Sequence, residues 1–423
     1  MTDTVNEREA EEAGFASDLT QSHTLGESIQ AYVNRVRGGE MGALPSVLGL
    51  VVLFIVFGFA NDRFLSNLNM ANLLTQSGSI IILAMALVPV LLLGDIDLSA
   101  GVAGGVSACV MGVLLVDHGQ EWYVSVAAAL VTGAAIGLII GALVAKLGIP
   151  SFVVTLAFFL GLQGVTLKLI GEGGSVRVNQ EVISGIANSN MDVLWGWICA
   201  IAIIAAFAAL KLLQHRRKVS LGLQHQPVAV VVAQIVVVAA VLIGVTYVLN
   251  QNRSVNPNFP IEGIPYVIPM VILLLIFWTF MLGRTTWGRH VYAVGGNSEA
   301  ARRAGINVDR IRISVFIICS SMAALSGIVA ASYGGKVSTS SGGGNVLLYA
   351  VGAAVIGGTS LFGGKGKASD AVIGGLVIAT IANGLGLLAQ ASYINFLVTG
   401  GVLLLAASVD AISRRRRSAT GLG

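Results

Sequence analysis

The chain has 423 residues, 55% of them hydrophobic and only 11% charged, with 53 glycines and a mean hydropathy of +0.84. That composition excludes a soluble globular domain, in which charged residues run near a quarter of the chain. The net charge of +4 carries no nucleic-acid footprint, because it follows from how basic residues sort between loops of an apolar chain.

In chain order, residues 1–24 read as a disordered acidic tail (EREAEEAG, 7–14), unlike the basic-then-apolar start of a cleavable signal peptide. LGESIQAYVNRV (25–36) then puts Leu25, Ile29, Tyr32, Val33 and Val36 on one face, with Arg35 and Arg37 following. This predicts an interfacial amphipathic helix over 25–40, lying on the inner membrane surface. From 41 to 412 the apolar residues come in blocks close to the length a helix needs to cross a bilayer. The predicted fold is all-α, a polytopic transmembrane helix bundle of about 10–12 spans. Twelve candidates cover 44–60, 77–93, 98–116, 124–145, 150–170, 193–213, 228–249, 264–282, 313–332, 346–360, 371–388 and 393–410. The second and third, joined only by Gly94-Asp95-Ile96-Asp97-Leu98, and the short tenth are candidates for re-entrant or broken helices. Residues 413–423 read as a basic cytoplasmic tail.

With the N-terminus inside and the spans alternating, 20 of the 25 Lys and Arg residues fall inside. Only Arg63, Lys168, Arg177, Arg253 and Lys336 fall outside. The asymmetry predicts both termini in the cytoplasm and a multi-pass protein of the cell membrane. Gly133, Gly137 and Gly141 recur down one face of the fourth span, and Gly101 and Gly105 down the third, as helices do where backbones approach closely in lipid. Cys109, Cys199 and Cys319 are far apart inside apolar blocks, and the five histidines lie in tails and loops without metal spacing. No disulfide framework and no metal site is predicted.

Asp95, Asp97 and Ser99 stand in PVLLLGDIDLSAG (89–101), directly after a proline-containing span. A carboxylate at the centre of a membrane helix costs roughly 2.5–3.5 kcal/mol, so the pair either sits at a water-exposed turn or helps shape a polar break in the pathway. Gln163, Asn383 and Gln390 are neutral polar groups in or near spans, read as interhelical hydrogen-bonding groups or pathway lining. GGTSLFGGKGKASD (357–370) imitates a phosphate loop but fails its spacing, with Thr359 where the first glycine belongs; it reads as a flexible cytoplasmic turn.

The loop 283–312 carries six arginines. Within it, Gly295 and Gly296 precede a two-turn helix that Asn297 can cap, with Glu299 in its first turn, Arg302 and Arg303 in its last, and Gly305 ending it. A helix so short is marginal alone, and Ala300, Ala301 and Ala304 give it a thin face suited to docking. GRHVYAVGGNSEAARRAGINV (288–308) resembles the cytoplasmic loop of simple-sugar permeases of ATP-binding-cassette importers, with Glu299-Ala300-Ala301 and Gly305 matching their EAA-x-x-x-G box. GDIDLSAG (94–101) and IPSFVVTL (149–156) are similar to further signatures of that family, and the likeness runs over most of 70–410. The basic stretch RRKVSLGLQHQP (216–227) looks most like the xylose type. The box departs from its broader form after Gly305, reading Ile306-Asn307-Val308, as suits the sugar and branched-chain amino-acid branch.

The resemblance implies that 283–312 is an ATPase-coupling loop and that the chain is a permease for a xylose-like monosaccharide. It implies a homodimer of this subunit, ATPase subunits beneath it and an extracytoplasmic sugar-binding protein. Any ATP is then used by partner subunits, and the chain itself carries no cofactor and no catalytic residues. The competing expectation is a twelve-span secondary transporter driven by an ion gradient. An intramembrane enzyme is disfavoured by the lack of a Ser-His, HExxH or paired-Asp signature.

Overall fold

The computed structural model describes residues 42–223, 225–254, 256 and 258–389, together with Gly26, Gln30 and part of 393–411. In chain order come α1 (Leu44–Ala60), α2 (Asn67–Leu92), α3 (Ala100–Val116), α4 (Trp122–Lys146), α5 (Ser151–Ile170), β1 (Ser175–Arg177), α6 (Glu181–Asn188) and β2 (Asn190–Met191). Then follow α7 (Val193–Ser220), α8 (Val228–Leu249), β3 (Ile264–Pro265), α9 (Val267–Arg284), α10 (Thr286–Gly296), α11 (Ser298–Arg303), α12 (Val308–Gly334), β4 (Lys336–Ser338), α13 (Val346–Gly357) and α14 (Ala368–Leu387). Eight of these helices are long and apolar enough to cross a membrane: α2, α4, α5, α7, α8, α9, α12 and α14. The protein is a polytopic helical membrane protein. Among the described residues the strands form two short antiparallel ladders, β1 with β4 and β2 with β3.

Residues 42–192 and 249–412 form one compact unit. Its centre is a pair of long helices, α2 and α12, each with a second helix laid along it. Along α12 runs α4, and the predicted glycine face is what lets it approach: a Cβ at Gly137 would collide with the Phe316 carbonyl, and one at Gly133 or Gly141 with Ser320 or Ile313 backbone. Along α2 runs α14, with Gly375 against Ile81. Lipid supplies no hydrophobic drive for helix pairing, so these small-residue seams are what dispersion forces act through.

Two spans are broken. Pro89 removes an amide near the end of α2, and Gly94, at φ +77°, turns the chain out of it. The chain then runs without helix to Ser99 before α3 starts, and its second turn lies against α12, where Gly104 and Gly327 lie on each other's helix. The second break precedes α13, whose 12 residues span about 18 Å, far short of a bilayer core. The missing length is supplied by 337–345, which descends antiparallel to α3. Val337 lies beside Gly112, Cys109 donates its S–H to the Ser338 carbonyl at 3.7 Å, and the Ser341 and Gly342 carbonyls lie against Gly105 and Gly101. The glycine face of α3 therefore packs a re-entrant, non-helical segment of turns, where a neighbouring helix was predicted.

Other expectations shift in detail. The second span begins at Asn67, ten residues early, and the ninth at Val308, because polar first turns hide from a hydropathy window. Gly26 and Gln30 are helical, while the rest of the 25–40 helix and both tails lie outside the described residues. In the predicted twelfth span the described residues between 393 and 408 are helical. The loop 357–370 is clamped, contrary to the flexible turn expected: the Gly364 amide donates to the Leu92 carbonyl at 2.8 Å and Tyr292 Oη to the Gly366 carbonyl at 2.6 Å. Residues 193–248 belong to a separate compact unit containing α7 and α8, two strongly apolar helices with Lys211 Nζ 2.8 Å from Gln234 Oε1.

Candidate functional site

One end of the larger unit gathers 94–99, the start of α5, 285–312 and 358–367. α10 is seated there by Trp287, whose Nε1 donates to Ser314 Oγ at 2.8 Å, and by Gly295, which lies directly on the Leu92 carbonyl. Gly295 and Gly296 thus close α10, one step before the short helix. Burial raises the Tyr292 phenol above its ordinary pKa, and the neighbouring Asp370 raises it further.

α11 has the predicted punctuation. Asn297 Oδ1 accepts the Ala300 amide at 2.9 Å, Glu299 occupies the first turn and Arg302 and Arg303 the last. Gly305, at φ +83°, follows; the Ile306 amide reaches the Ala301 carbonyl at 3.1 Å and the Gly305 amide the Arg302 carbonyl at 3.0 Å. The alanine face divides. Ala301 is 5% exposed, turned into the chain, whereas Glu299, Ala300 and Ala304 are exposed. Part of the docking that stabilises so short a helix is therefore internal, onto α10 and α12. The outward surface is Glu299, Ala300 and Ala304, flanked by Arg302 and Arg303.

Beneath this surface lies the first break. Asp95 pairs with Arg312 at 3.2 Å, tying it to the first turns of α12. The Ile96 peptide is satisfied on both sides by α5: its amide donates to Ser151 Oγ at 3.3 Å and its carbonyl accepts from Thr155 Oγ1 at 3.2 Å. Asp97, 1% exposed, accepts from the Ser99 amide (2.9 Å) and hydroxyl (2.6 Å) through Oδ1 and from Cys319 Sγ (3.7 Å) through Oδ2. Asp95, Asp97 and Ser99 are thus together in a built turn. It is buried, not water-exposed as expected, because Arg312, Ser99 and Cys319 supply the partners that water would.

Gln163 and Asn383 are elsewhere. Gln163 is half-buried in the middle of α5. Asn383 exchanges amide hydrogen bonds with Asn69 at 2.9 Å each way, joining α14 to α2 beside Phe64 at the opposite end. Gln390 lies outside the described residues. None of Arg312, Ser151, Thr155 and Cys319 was linked to the break from the sequence, since each reaches it from a distant element. At the opposite end a cavity of about 440 Å³ is lined by residues including Leu115, Gln120, Trp122, Arg177 and Gln180.

A profile described as branched-chain amino acid transport system / permease component matches residues 69–407, which contain both breaks, α10 and α11. The chain belongs to this permease family. Within it, the chain is 34% identical over 372 residues to the xylose transport system permease protein of Escherichia coli K12, covering 88% of this chain and 92% of the relative. Identity to the xylose permease protein of Haemophilus influenzae Rd is 31%, over 88% of this chain and 96% of that one. The ribose import permease protein of E. coli K12 is 32% identical over 86% and 92% of the two chains. No solved structure matches the chain. Membership of a permease family disfavours the ion-driven secondary transporter.

Proposed function

We propose that this chain is the membrane-spanning permease subunit of an ATP-driven importer for a neutral monosaccharide, most like xylose. The observation that carries the reading is near-full-length similarity, 34% and 31% identity with 88% of this chain covered, to two permeases of xylose transport systems. Two copies form the translocation unit, and ATPase subunits bind the end bearing α11. That end holds Lys146, Arg284, Arg289, Arg302, Arg303, Arg310, Arg312, Lys365 and Lys367, as a cytoplasmic end does. A sugar-loaded binding protein approaches the opposite end, where the cavity beside Trp122 opens.

The local geometry supports coupling. A push on Glu299, Ala300 or Ala304 passes through α10 to the Gly295–Leu92 contact, and through α12 to the Arg312–Asp95 pair. Both routes end on the break before α3. Co-expression with a tagged ATPase subunit tests this: the chain should copurify with it, and Ala300→Glu should weaken the association while leaving the amount of membrane-inserted chain unchanged. A chain that transports sugar when purified alone would contradict the proposal.

A further inference from the structure

The break before α13 exposes its polar side chains where the break before α3 buries them. From Val337 to Asn345 the chain passes from the level of Gly112 to that of Gly101 on α3, about 16 Å of depth at the helical rise per residue. It reaches the middle of the bundle, because Gly104, one turn along α3 from Gly101, lies against Ala323 and Gly327 near the middle of α12. Residues 338–345 read Ser-Thr-Ser-Ser-Gly-Gly-Gly-Asn, four hydroxyls and an amide without a charge. One edge is covered: Val337 is buried, and Ser341 Oγ accepts the Ser338 amide at 2.9 Å. The other edge is bare. Ser340 and Gly344 are exposed, and the Ser338 and Ser340 hydroxyls meet only each other, at 3.0 Å, among the described residues. The amides of Ser340, Gly342, Gly344 and Asn345 likewise have no acceptor among the described residues.

Irregular backbone at membrane depth survives only buried in protein or lining water, since lipid offers nothing to bond its amides. We infer that 338–345 lines the aqueous translocation path and is the hydrogen-bonding rail along which the sugar passes. The chemistry fits a neutral polyol. Hydroxyls and free amides exchange one for one with the sugar's water hydrogen bonds, and no charge is present to hold a cation or repel an anion. Ser338, Ser340 and Asn345 are the side chains placed to touch it. The inference rests on the importer reading above.

The test uses the complex reconstituted with its ATPase subunits and binding protein, with D-xylose and D-ribose as probes and Cys199 replaced by Ser, leaving only the buried Cys109 and Cys319. ATP-dependent uptake by this background is measured first; its absence would sink the importer reading itself. Ser340→Cys and Asn345→Cys should then react with a small cationic methanethiosulfonate reagent. That reaction should stop uptake and be slowed several-fold by saturating sugar-loaded binding protein. A bulky polyethylene-glycol maleimide that labels Gln120→Cys should fail at both positions. With uptake established, four results would overturn the rail: labelling only by lipid-soluble maleimide, labelling by the bulky reagent as fast as at Gln120→Cys, no labelling by either reagent, or full uptake after modification.

Discussion

The two broken spans use the same backbone device and finish it differently. Before α3 the polar side chains are sealed in: Asp97 and Ser99 are 1% and 0% exposed, the carboxylate takes the local amide and hydroxyl, and α5 takes the Ile96 amide and carbonyl, leaving only the Asp97 and Leu98 amides without an acceptor among the described residues. Before α13 the break carries serines and glycines with one side bare and several amides unpartnered among the described residues. Interrupting a helix in a membrane leaves peptide groups to be satisfied. Where side chains of the fold satisfy them, the break is structural; where they do not, water or solute must. One carboxylate therefore marks the rigid break and its absence marks the conducting one.

The strongest way to break this comparison is at Asp97. Asp97→Leu strands the Ser99 amide and hydroxyl in a buried site, at about 1–3 kcal/mol for each unsatisfied group, so little folded subunit should be recovered after solubilisation. Asp97→Asn keeps an acceptor for the Ser99 amide and should fold and transport at a reduced rate. Fluorescence-detected size exclusion and uptake measure the two separately. If both variants fold normally yet neither transports, the charge of Asp97 acts in the pathway and the sealed-break account fails.

A smaller, more selective effect is expected on the open side. Gly105→Val drives a side chain into the Ser341 carbonyl, whereas Gly137→Val drives one into the Phe316 carbonyl on the α4–α12 seam. Overpacking of this kind costs about 1–3 kcal/mol at either position. The seam variant should lower the thermal midpoint in detergent, while Gly105→Val should lose at least tenfold in uptake for a smaller change in midpoint, because 338–345 has room to move. Equal losses of midpoint and uptake in both would show that the segment is simply packed core.

At the α11 end, effects should divide by burial. Gly305→Val forces a β-branched residue into φ +83°, and Ala301→Glu buries a charge beneath α11; both should detach the helix locally and lower substrate-stimulated ATP hydrolysis. Ala300→Glu, outward, should uncouple without local unfolding, as read by an unchanged protease digestion pattern. Arg302→Ala should be mildest, since the 4.0 Å pair with Asp309 is 61% and 52% exposed and such pairs contribute about 0–1 kcal/mol. Normal coupling in both Gly305→Val and Ala300→Glu would reduce the loop to an orientation signal.

The sequence announced what is local. Hydropathy located the spans, Asn297 to Gly305 spelled out a helix from cap to stop, and the short tenth span and the Gly94–Leu98 joint stood out as suspect. Asp97 and Ser99 are two residues apart, so their bond was legible as a turn. Pairings across the fold were not. Arg312 and Asp95, Cys319 and Asp97, and Asn69 and Asn383 lie hundreds of residues apart, and only packing brings them together. The inward turn of Ala301 was hidden for another reason: six helical residues flanked by bends show no periodicity from which to assign a buried face. Nor could the glycines of α3 disclose that a run of turns, not a helix, lies on them.

The measurement that bears most directly on the account is sugar uptake into proteoliposomes holding this chain, its ATPase subunits and its binding protein, with ATP and ion gradients varied independently. Uptake of D-xylose should require ATP on the α11 side and sugar-loaded binding protein on the other, and should be indifferent to collapse of proton and sodium gradients. Uptake by this chain alone that follows an ion gradient, with no response to ATP, would contradict it.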